Sequence, residues 1–217
     1  MPDFEKLRDR MVERQLKPRG IQNAAVLRAM RAVPRHEFVP ARMKAYAYED
    51  SPLPIGEEQT ISQPYIVALM TELLEPSEGD RVLEIGTGSG YAAAVLSLIV
   101  RAVYTIERHR SLVQRATERF RRLGYDNIHI FEGDGTLGLA EQGPYDGILV
   151  TAGAPEVPGA LEAQLAVDGR LLVPTGSSRR SQQLVRVRRL SRSDYRREML
   201  SHVRFVPLVG KAGWDGS

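Results

Sequence analysis

Val82-Leu83-Glu84-Ile85-Gly86-Thr87-Gly88-Ser89-Gly90-Tyr91 decides the fold of this chain. A short apolar run carrying one acid gives way to glycines at three alternate positions, and the helix-forming run Ala92-Ala93-Ala94-Val95-Leu96 follows. The pattern predicts strand, tight turn, helix. Glycine lets such a turn adopt positive φ and lets a ligand approach the backbone, because no Cβ stands in the way. Glu84 falls at the carboxyl end of the strand, the edge of an open α/β sheet where ligands bind.

The spacing is G-x-G-x-G, not the G-x-G-x-x-G that seats a pyrophosphate on a helix N-terminus. Glu84 pointing into the turn would repel a pyrophosphate and suits a ligand with an ammonium group. S-adenosylmethionine is such a ligand, with an amino acid at one end and a nucleoside at the other. Working outward, Ala102 to Glu107 reads as a second strand ending in an acid, 17 residues past Gly90. A carboxylate there can accept both ribose hydroxyls. Gly133-Asp134-Gly135 follows a third strand-like run, Ile128 to Phe131, and could meet the adenine. Each piece alone fits a plain turn; three acid-ended strands in this order favour one ligand site.

Beyond these segments, residues 3–16 predict an amphipathic helix with Phe4, Leu7 and Met11 on one stripe, stopped by Lys17-Pro18-Arg19-Gly20. Further helices are expected over Asn23 to Ala32, Tyr65 to Leu74, Ser111 to Leu123 and Pro158 to Leu165, and a loop over Gly56 to Pro64. Strands are expected at Tyr145 to Thr151, Gly169 to Thr175, Gln182 to Leu190 and Met199 to Val206, the last two as a hairpin-like pair. The sum is one doubly wound, mostly parallel seven-stranded sheet, Rossmann-like, of the class I methyltransferase type. Residues 1–217 are expected to form a single domain, with 1–75 a helical and substrate-loop elaboration and 76–217 the cofactor-binding α/β core.

The 217 residues suffice for one substantial core, and 30 basic against 27 acidic residues leave a formal charge of +3. Nine arginines lie between Arg179 and Arg204 against only Asp194 and Glu198, which raises a nucleic-acid patch and, more simply, the solvent face of two strands. No aromatic platform is interleaved with them. The absence of cysteine excludes disulfides, thiolate metal sites and a cysteine nucleophile. His36, His109, His129 and His202 lack metal-ligand spacing, so no metal is expected. With no apolar run near the ~20 residues that span a bilayer and no signal-like N-terminus, a cytoplasmic location without membrane contact is expected.

Several stretches together resemble the protein-L-isoaspartate (D-aspartate) O-methyltransferase family. They are Val33 to Pro40, Leu53 to Gly56 leading into Gln59-Thr60-Ile61-Ser62-Gln63-Pro64-Tyr65, Val82 to Tyr91, Gly133 to Gly135, Tyr145 to Ile148 with Val150 to Ala152, Gly169 to Leu171 with Pro174, and Phe205 to Leu208. The resemblance covers nearly the whole chain. Its most specific parts are the Thr60-to-Pro64 loop and Val206-Pro207-Leu208. Departures are Glu57-Glu58 where the family has a glycine before the glutamine, Asn23 for an aspartate, Leu139 for a tryptophan and Gly153 for an alanine.

The resemblance implies transfer of a methyl group from S-adenosylmethionine, leaving S-adenosylhomocysteine, to the free carboxylate of L-isoaspartyl residues in damaged proteins and peptides, and less readily to D-aspartyl residues. The ester then closes to a succinimide that partly reopens to normal aspartate. A carboxylate is already ionised at neutral pH, so the absence of an evident base agrees with this chemistry. On this reading Ser62 holds the acceptor carboxylate. The cofactor set is Ile61, Ser62, Glu84, Gly86, Thr87, Gly88, Ser89, Gly90, Glu107, Arg108, Asp134 and Gly135, with Glu84 toward the ammonium, Glu107 toward the ribose and Asp134 with Gly135 toward the adenine. Thr60, Ser62, Gln63, Val206, Pro207 and Leu208 form the substrate side, the last three as an extended edge for a peptide backbone. A monomer that binds no nucleic acid is expected. A base methyltransferase would need a cysteine nucleophile or an Asn/Asp-Pro-Pro-aromatic tetrapeptide where Thr151-Ala152-Gly153-Ala154 stands. A nicotinamide enzyme would need the other glycine spacing.

Overall fold

The computed structural model describes residues 2–179 and 181–215. Helix α1 (Phe4–Met11) begins at Asp3, whose carboxylate accepts the Lys6 N–H at 3.0 Å. It continues through a wide turn, Val12–Leu16, and a tight one, Lys17–Arg19, so only the first half of the expected 3–16 helix is α-helical. Helix α2 (Ala24–Ala32) is capped by Asn23, whose Oδ1 accepts the Ala25 and Val26 N–H groups at 2.9 and 3.2 Å. It stops at Val33, held extended by the proline that follows.

The stretch expected as a loop from Gly56 to Pro64 contains part of a small antiparallel hairpin, β1 (Leu53–Gly56) and β2 (Gln59–Ile61). Its two connecting residues, Glu57 and Glu58, both have positive φ, 53° and 56°. A two-residue hairpin turn demands that geometry, which Asn-Gly normally supplies. Two glutamates give no such signal, and strands this short show no readable alternation. Helix α3 (Pro64–Leu74) follows, with proline at its first position.

The main sheet is assembled from β3 (Arg81–Ile85), helix α4 (Tyr91–Ser97), β4 (Ala102–Glu107), helix α5 (Arg110–Leu123), β5 (Ile128–Glu132), β6 (Tyr145–Val150), helix α6 (Gly159–Ala163), β7 (Leu165–Ser178), β8 (Ser181–Arg189) and β9 (Tyr195–Val203). Its order is β5-β4-β3-β6-β7-β8-β9. The first five strands in that order pair in parallel, and β8 runs antiparallel to both its neighbours. This is the mostly parallel, Rossmann-like sheet the sequence predicts. The last strand lies earlier than expected, and Val206 falls outside it. Most of β9 is exposed, so burial imposes no alternation on it. Pro207 instead makes an isolated parallel bridge to Gly153.

Alternate strand residues sort into two cores. Val82, Val103, Leu149, Leu172 and Leu184 pack under α1 to α5. Leu83, Ile85, Ile106, Ile148, Val150, Leu171 and Val173 face the other side, covered by Leu161 of α6 and by the tail around Leu208. The chain leaves β3 toward β4 and later returns to place β6 on the other flank of β3. The carboxyl ends of β3 and β6 therefore border the topological switch point, where such sheets hold ligands.

Candidate active site

Gly86, Gly88 and Gly90 all carry positive φ, at 94°, 52° and 85°. The turn is pinned from both sides of β3. Gly86 donates its N–H to the Ile106 carbonyl at 2.8 Å, and the Thr151 hydroxyl lies 2.7 Å from the Gly86 carbonyl. Gly90 works from behind the turn: a Cβ there would come within 2.6 Å of the Phe120 ring, so its absence seats α4 against α5.

Three adjoining cavities open at this end of the sheet. The first, of about 300 Å³, is lined by Gly86, Gly88, Glu107, Arg108, Gly135 and Leu208, with the Glu57-Glu58 turn on its rim. The second, of about 40 Å³, runs between Ile61, Ser62, Glu84, Thr87 and Ser89. The third, of about 360 Å³, lies beyond, among Ser62, Gln63, Ile66, Arg204, Phe205 and Pro207. Thr60 and Thr151 line all three, and Ser62 lines the second and third. A ligand stretched through the first two would present its far end to the third beside Thr60, Ser62 and Thr151.

Glu84 is fully buried, and its Oε2 accepts the Thr105 hydroxyl at 2.6 Å. Thr105 is in turn 2.7 Å from the Thr87 hydroxyl. Glu84 Oε1 has no hydrogen-bond partner. Desolvation pushes the Glu84 carboxyl up to about 8, against the lowering pull of Thr105, with a further push from Glu107 and a weaker lowering pull from the Ala93 backbone N–H. An ammonium in the second cavity would supply the missing donor and the missing charge.

Glu107 is the opposite case. Its Oε2 accepts the Gly88 N–H at 2.9 Å and its Oε1 the His109 N–H at 2.9 Å. Each oxygen is oriented by the backbone and keeps a lone pair for a hydroxyl on the cavity side. Gly135 packs so closely on Ile85 that an added Cβ would meet Ile85 Cγ2 at 2.5 Å, so only glycine lets the backbone lie against Ile85 in that wall of the cavity. A cavity with one cation-seeking end, a carboxylate for hydroxyls and a flat glycine-walled end fits an amino-acid nucleoside such as S-adenosylmethionine.

The structure does not bring Asp134 to the cavity as the sequence suggested. Asp134 Oδ1 accepts the Thr136 N–H and hydroxyl at 2.9 and 2.7 Å, and Oδ2 accepts the Lys211 N–H at 2.8 Å. Burial would raise this carboxyl, but those bonds outweigh it and hold it below the ordinary range. Asp134 ties the C-terminal tail to the turn after β5, and only its neighbour Gly135 lines the cavity. Gly90 likewise shapes the turn without lining a cavity.

The peptide edge at Val206-Pro207-Leu208 is largely taken by the protein itself. Gly153 donates to the Val206 carbonyl and accepts from the Leu208 N–H, both at 2.8 Å, and the Trp214 N–H reaches the Leu208 carbonyl at 2.7 Å. Val206 and Pro207 still wall the third cavity. Gln63 lines it too, with its amide donating to Asp50 at 2.6 Å. Asp50 also accepts the Tyr65 N–H at 3.2 Å, so the N–H at the start of α3 is capped by Asp50 and not by Ser62. The Ser62 hydroxyl has no hydrogen-bond partner among the described residues.

Sequence reasoning missed Thr105, Thr151, Arg179 and Arg204. The threonines sit in strands or just past them, where β-branched residues are ordinary. The arginines lie in the basic stretch read as a strand face, yet both line the third cavity. Arg179 donates to the Asp215 carbonyl and stacks over Trp214 at 5.8 Å, whereas Arg204 has no acidic partner among the described residues.

Comparison with known proteins agrees with this geometry. The family model described as protein-L-isoaspartate(D-aspartate) O-methyltransferase matches residues 6–213. The chain is 61% identical over 207 residues to a Pelobacter propionicus protein named protein-L-isoaspartate O-methyltransferase 2, covering 95% of this chain and 92% of that one. It is 58% identical to a protein-L-isoaspartate O-methyltransferase of Pelotomaculum thermopropionicum, over 95% of this chain and 90% of the other. A solved protein-L-isoaspartate O-methyltransferase superposes with a TM-score of 0.84 at 34% identity, covering 95% of this chain and 67% of that one. A Plasmodium falciparum structure described as a protein-L-isoaspartate O-methyltransferase in complex with S-adenosyl-L-homocysteine gives 0.80 at 27% identity, covering 96% and 99%. The chain belongs to the protein-L-isoaspartate(D-aspartate) O-methyltransferase family.

Proposed function

We propose that this protein methylates the free carboxylate of L-isoaspartyl residues, and less readily that of D-aspartyl residues, in damaged proteins and peptides. S-adenosylmethionine supplies an activated methyl group on a sulfonium when bound. One observation carries the site assignment: an unpartnered Ser62 hydroxyl and the side chain of Thr60 stand where the cofactor cavities meet the third cavity.

The work left to the protein is alignment. Glu84 fixes the amino-acid end through its free oxygen, and Glu107 fixes the ribose. Ser62 donates its O–H to one oxygen of the acceptor carboxylate and leaves the other free to attack, with Thr60 beside it. Arg204 draws the anionic acceptor into the third cavity. Ile61, Thr151 and Val206 limit water around the reacting oxygen, which raises its reactivity. No group need remove a proton, because the acceptor is already a carboxylate at neutral pH. The ester then loses methanol to attack by the neighbouring backbone nitrogen, giving the succinimide without further help.

The Val206-to-Leu208 segment offers the acceptor chain mainly the Pro207 carbonyl, a main-chain contact indifferent to side chains. Within a single unit, residues 1–75 add the helical and substrate-loop elaboration that carries Thr60, Ser62 and Gln63, and residues 76–217 form the cofactor-binding core, which also lends Arg204 and the Val206-to-Leu208 segment to the acceptor side. The protein acts as a cytoplasmic monomer without binding nucleic acid. A cysteine-free chain, in which no helix of the described residues is long and apolar enough to cross a membrane, supports the location. The decisive experiment offers labelled S-adenosylmethionine with an isoaspartyl peptide and its normal aspartyl twin. Label should pass to the first alone; equal labelling of both overturns the substrate assignment.

A further inference from the structure

We propose that the cleft formed by β7, β8 and β9 on the α3 side of the sheet binds a compact phosphate anion carrying two or more charges. The cleft has a volume of about 330 Å³, and its lining includes Arg170, Arg186, Arg188, Arg196, Glu75 and Glu198. Arg170 pairs in register with Arg188, and Arg188 with Arg196, so three guanidinium-bearing residues cross three adjacent strands in one row. Residues so paired sit about 4.5–5.5 Å apart at the Cα atoms, and like charges directly opposite each other destabilise a sheet.

The acids of the cleft relieve only the Arg170 end of this row. Glu75 engages Arg170 at 2.7 Å and Arg186 at 3.1 Å, and Glu198 engages Arg186 at 2.8 Å. Glu75 is held for this purpose at a helix end with a left-handed φ of 53°, where glycine is usual. Arg188 and Arg196 remain exposed and without an acidic partner among the described residues. A planar carboxylate is filled by one guanidinium fork, whereas a tetrahedral dianion presents oxygens to two. The pair therefore matches phosphate chemistry. Arg188 and Arg196 stand on adjacent strands about 4.8 Å apart, a spacing that lets each guanidinium meet one phosphoryl group of a pyrophosphate. Arg170 lies near the start of β7, whereas Arg179, just past the far end of that strand, lines the acceptor cavity, so this site is remote from the methyl-transfer site and independent of the function proposed for it.

The test uses pyrophosphate as the probe, at low salt, against the full chain and an Arg188→Gln/Arg196→Gln double variant. Calorimetry should show saturable binding to the wild type, weakened at least tenfold in the double variant and unchanged by Arg101→Gln/Arg121→Gln. Without the anion, the double variant should melt about 1–2 °C higher, because a repulsive pair has gone. With the anion, the wild type and the Arg101→Gln/Arg121→Gln control should gain melting temperature, and the Arg188→Gln/Arg196→Gln variant should gain less. S-adenosylhomocysteine binding that stays equal in all three proteins confirms that each is folded. Equal pyrophosphate affinity in wild type and double variant, an equal loss in the Arg101/Arg121 control, or a lower melting temperature of the anion-free double variant overturns the proposal. So does tighter binding of a single-stranded oligonucleotide through the same two arginines, which would make the cleft a nucleic-acid contact.

Discussion

The ends of β3 and β4 lie side by side and each carries a glutamate facing the cofactor cavities, yet the two are built in opposite ways. Glu107 is supplied with donors by the backbone itself, from Gly88 and His109. Glu84 has one donor, Thr105, and a buried oxygen with none. The first is a finished hydrogen-bond acceptor, pre-aimed at neutral hydroxyls. The second is an unfinished ion pair that only a cation completes. An acid at a strand end therefore says little by itself; the donors around it decide which part of a ligand it can hold.

The sharpest way to break this comparison is Glu107→Ala. It would remove the two ribose contacts proposed for this carboxylate and strand the Gly88 and His109 N–H groups, so S-adenosylhomocysteine affinity should fall by about 100-fold or more, with stability lower by about 1–3 kcal/mol. Calorimetry and denaturant melts check both, and an unchanged affinity would remove Glu107 from the site. Ser62→Ala probes the neighbouring wall. Turnover on an isoaspartyl peptide should drop roughly 10- to 100-fold while S-adenosylhomocysteine affinity stays within about twofold. Full turnover would remove Ser62 from the acceptor site.

Glu84→Gln should weaken S-adenosylhomocysteine by roughly tenfold, since the uncharged amide cannot complete an ion pair. The pH dependence tests Glu84 further. Glu84 titrates near 8 in the folded free protein against a reference of 4.5, so its favourable contribution is full below about pH 4.5 and is lost progressively as pH rises to about 8. Binding of the ammonium end requires the ionised form, so affinity should rise with pH across the upper part of that window, by at most about tenfold per unit. Calorimetry in buffers of differing ionisation enthalpy should detect a proton released on binding, and Glu84→Gln should abolish both the release and the slope. A flat profile in the wild type would place the ammonium elsewhere. Thr105→Val, the smallest effect, should cost about 1 kcal/mol of stability and a few-fold in affinity by removing the hydroxyl that orients Glu84. An affinity equal to wild type would show that Glu84 needs no orientation.

The order of elements was legible because the glycine turn, the acid-ended strands and the amphipathic spacing of α5 each follow from local rules. The hairpin was not. Glu57 and Glu58 adopt a left-handed turn that the backbone favours only weakly for such residues, held by Ser111 donating to Glu57 at 2.6 Å and by Arg115 reaching the Ile55 carbonyl at 3.1 Å. Asp134 misled for a related reason. An acid between two glycines looks like a ligand contact, but the partner that claims it, Lys211, lies 77 residues further along the chain.

By itself the sequence determined the class of sheet, the position of the glycine turn and the chemistry on offer, because helix and strand periods and the φ freedom of glycine are properties of neighbouring residues. Only the tertiary structure decided which groups are left wanting a partner. Whether a carboxylate is saturated like Glu107, starved like Glu84 or spent on the tail like Asp134 depends on donors brought from distant segments. So does the freedom of the Ser62 hydroxyl, which exists because Asp50 satisfies the start of α3 in its place.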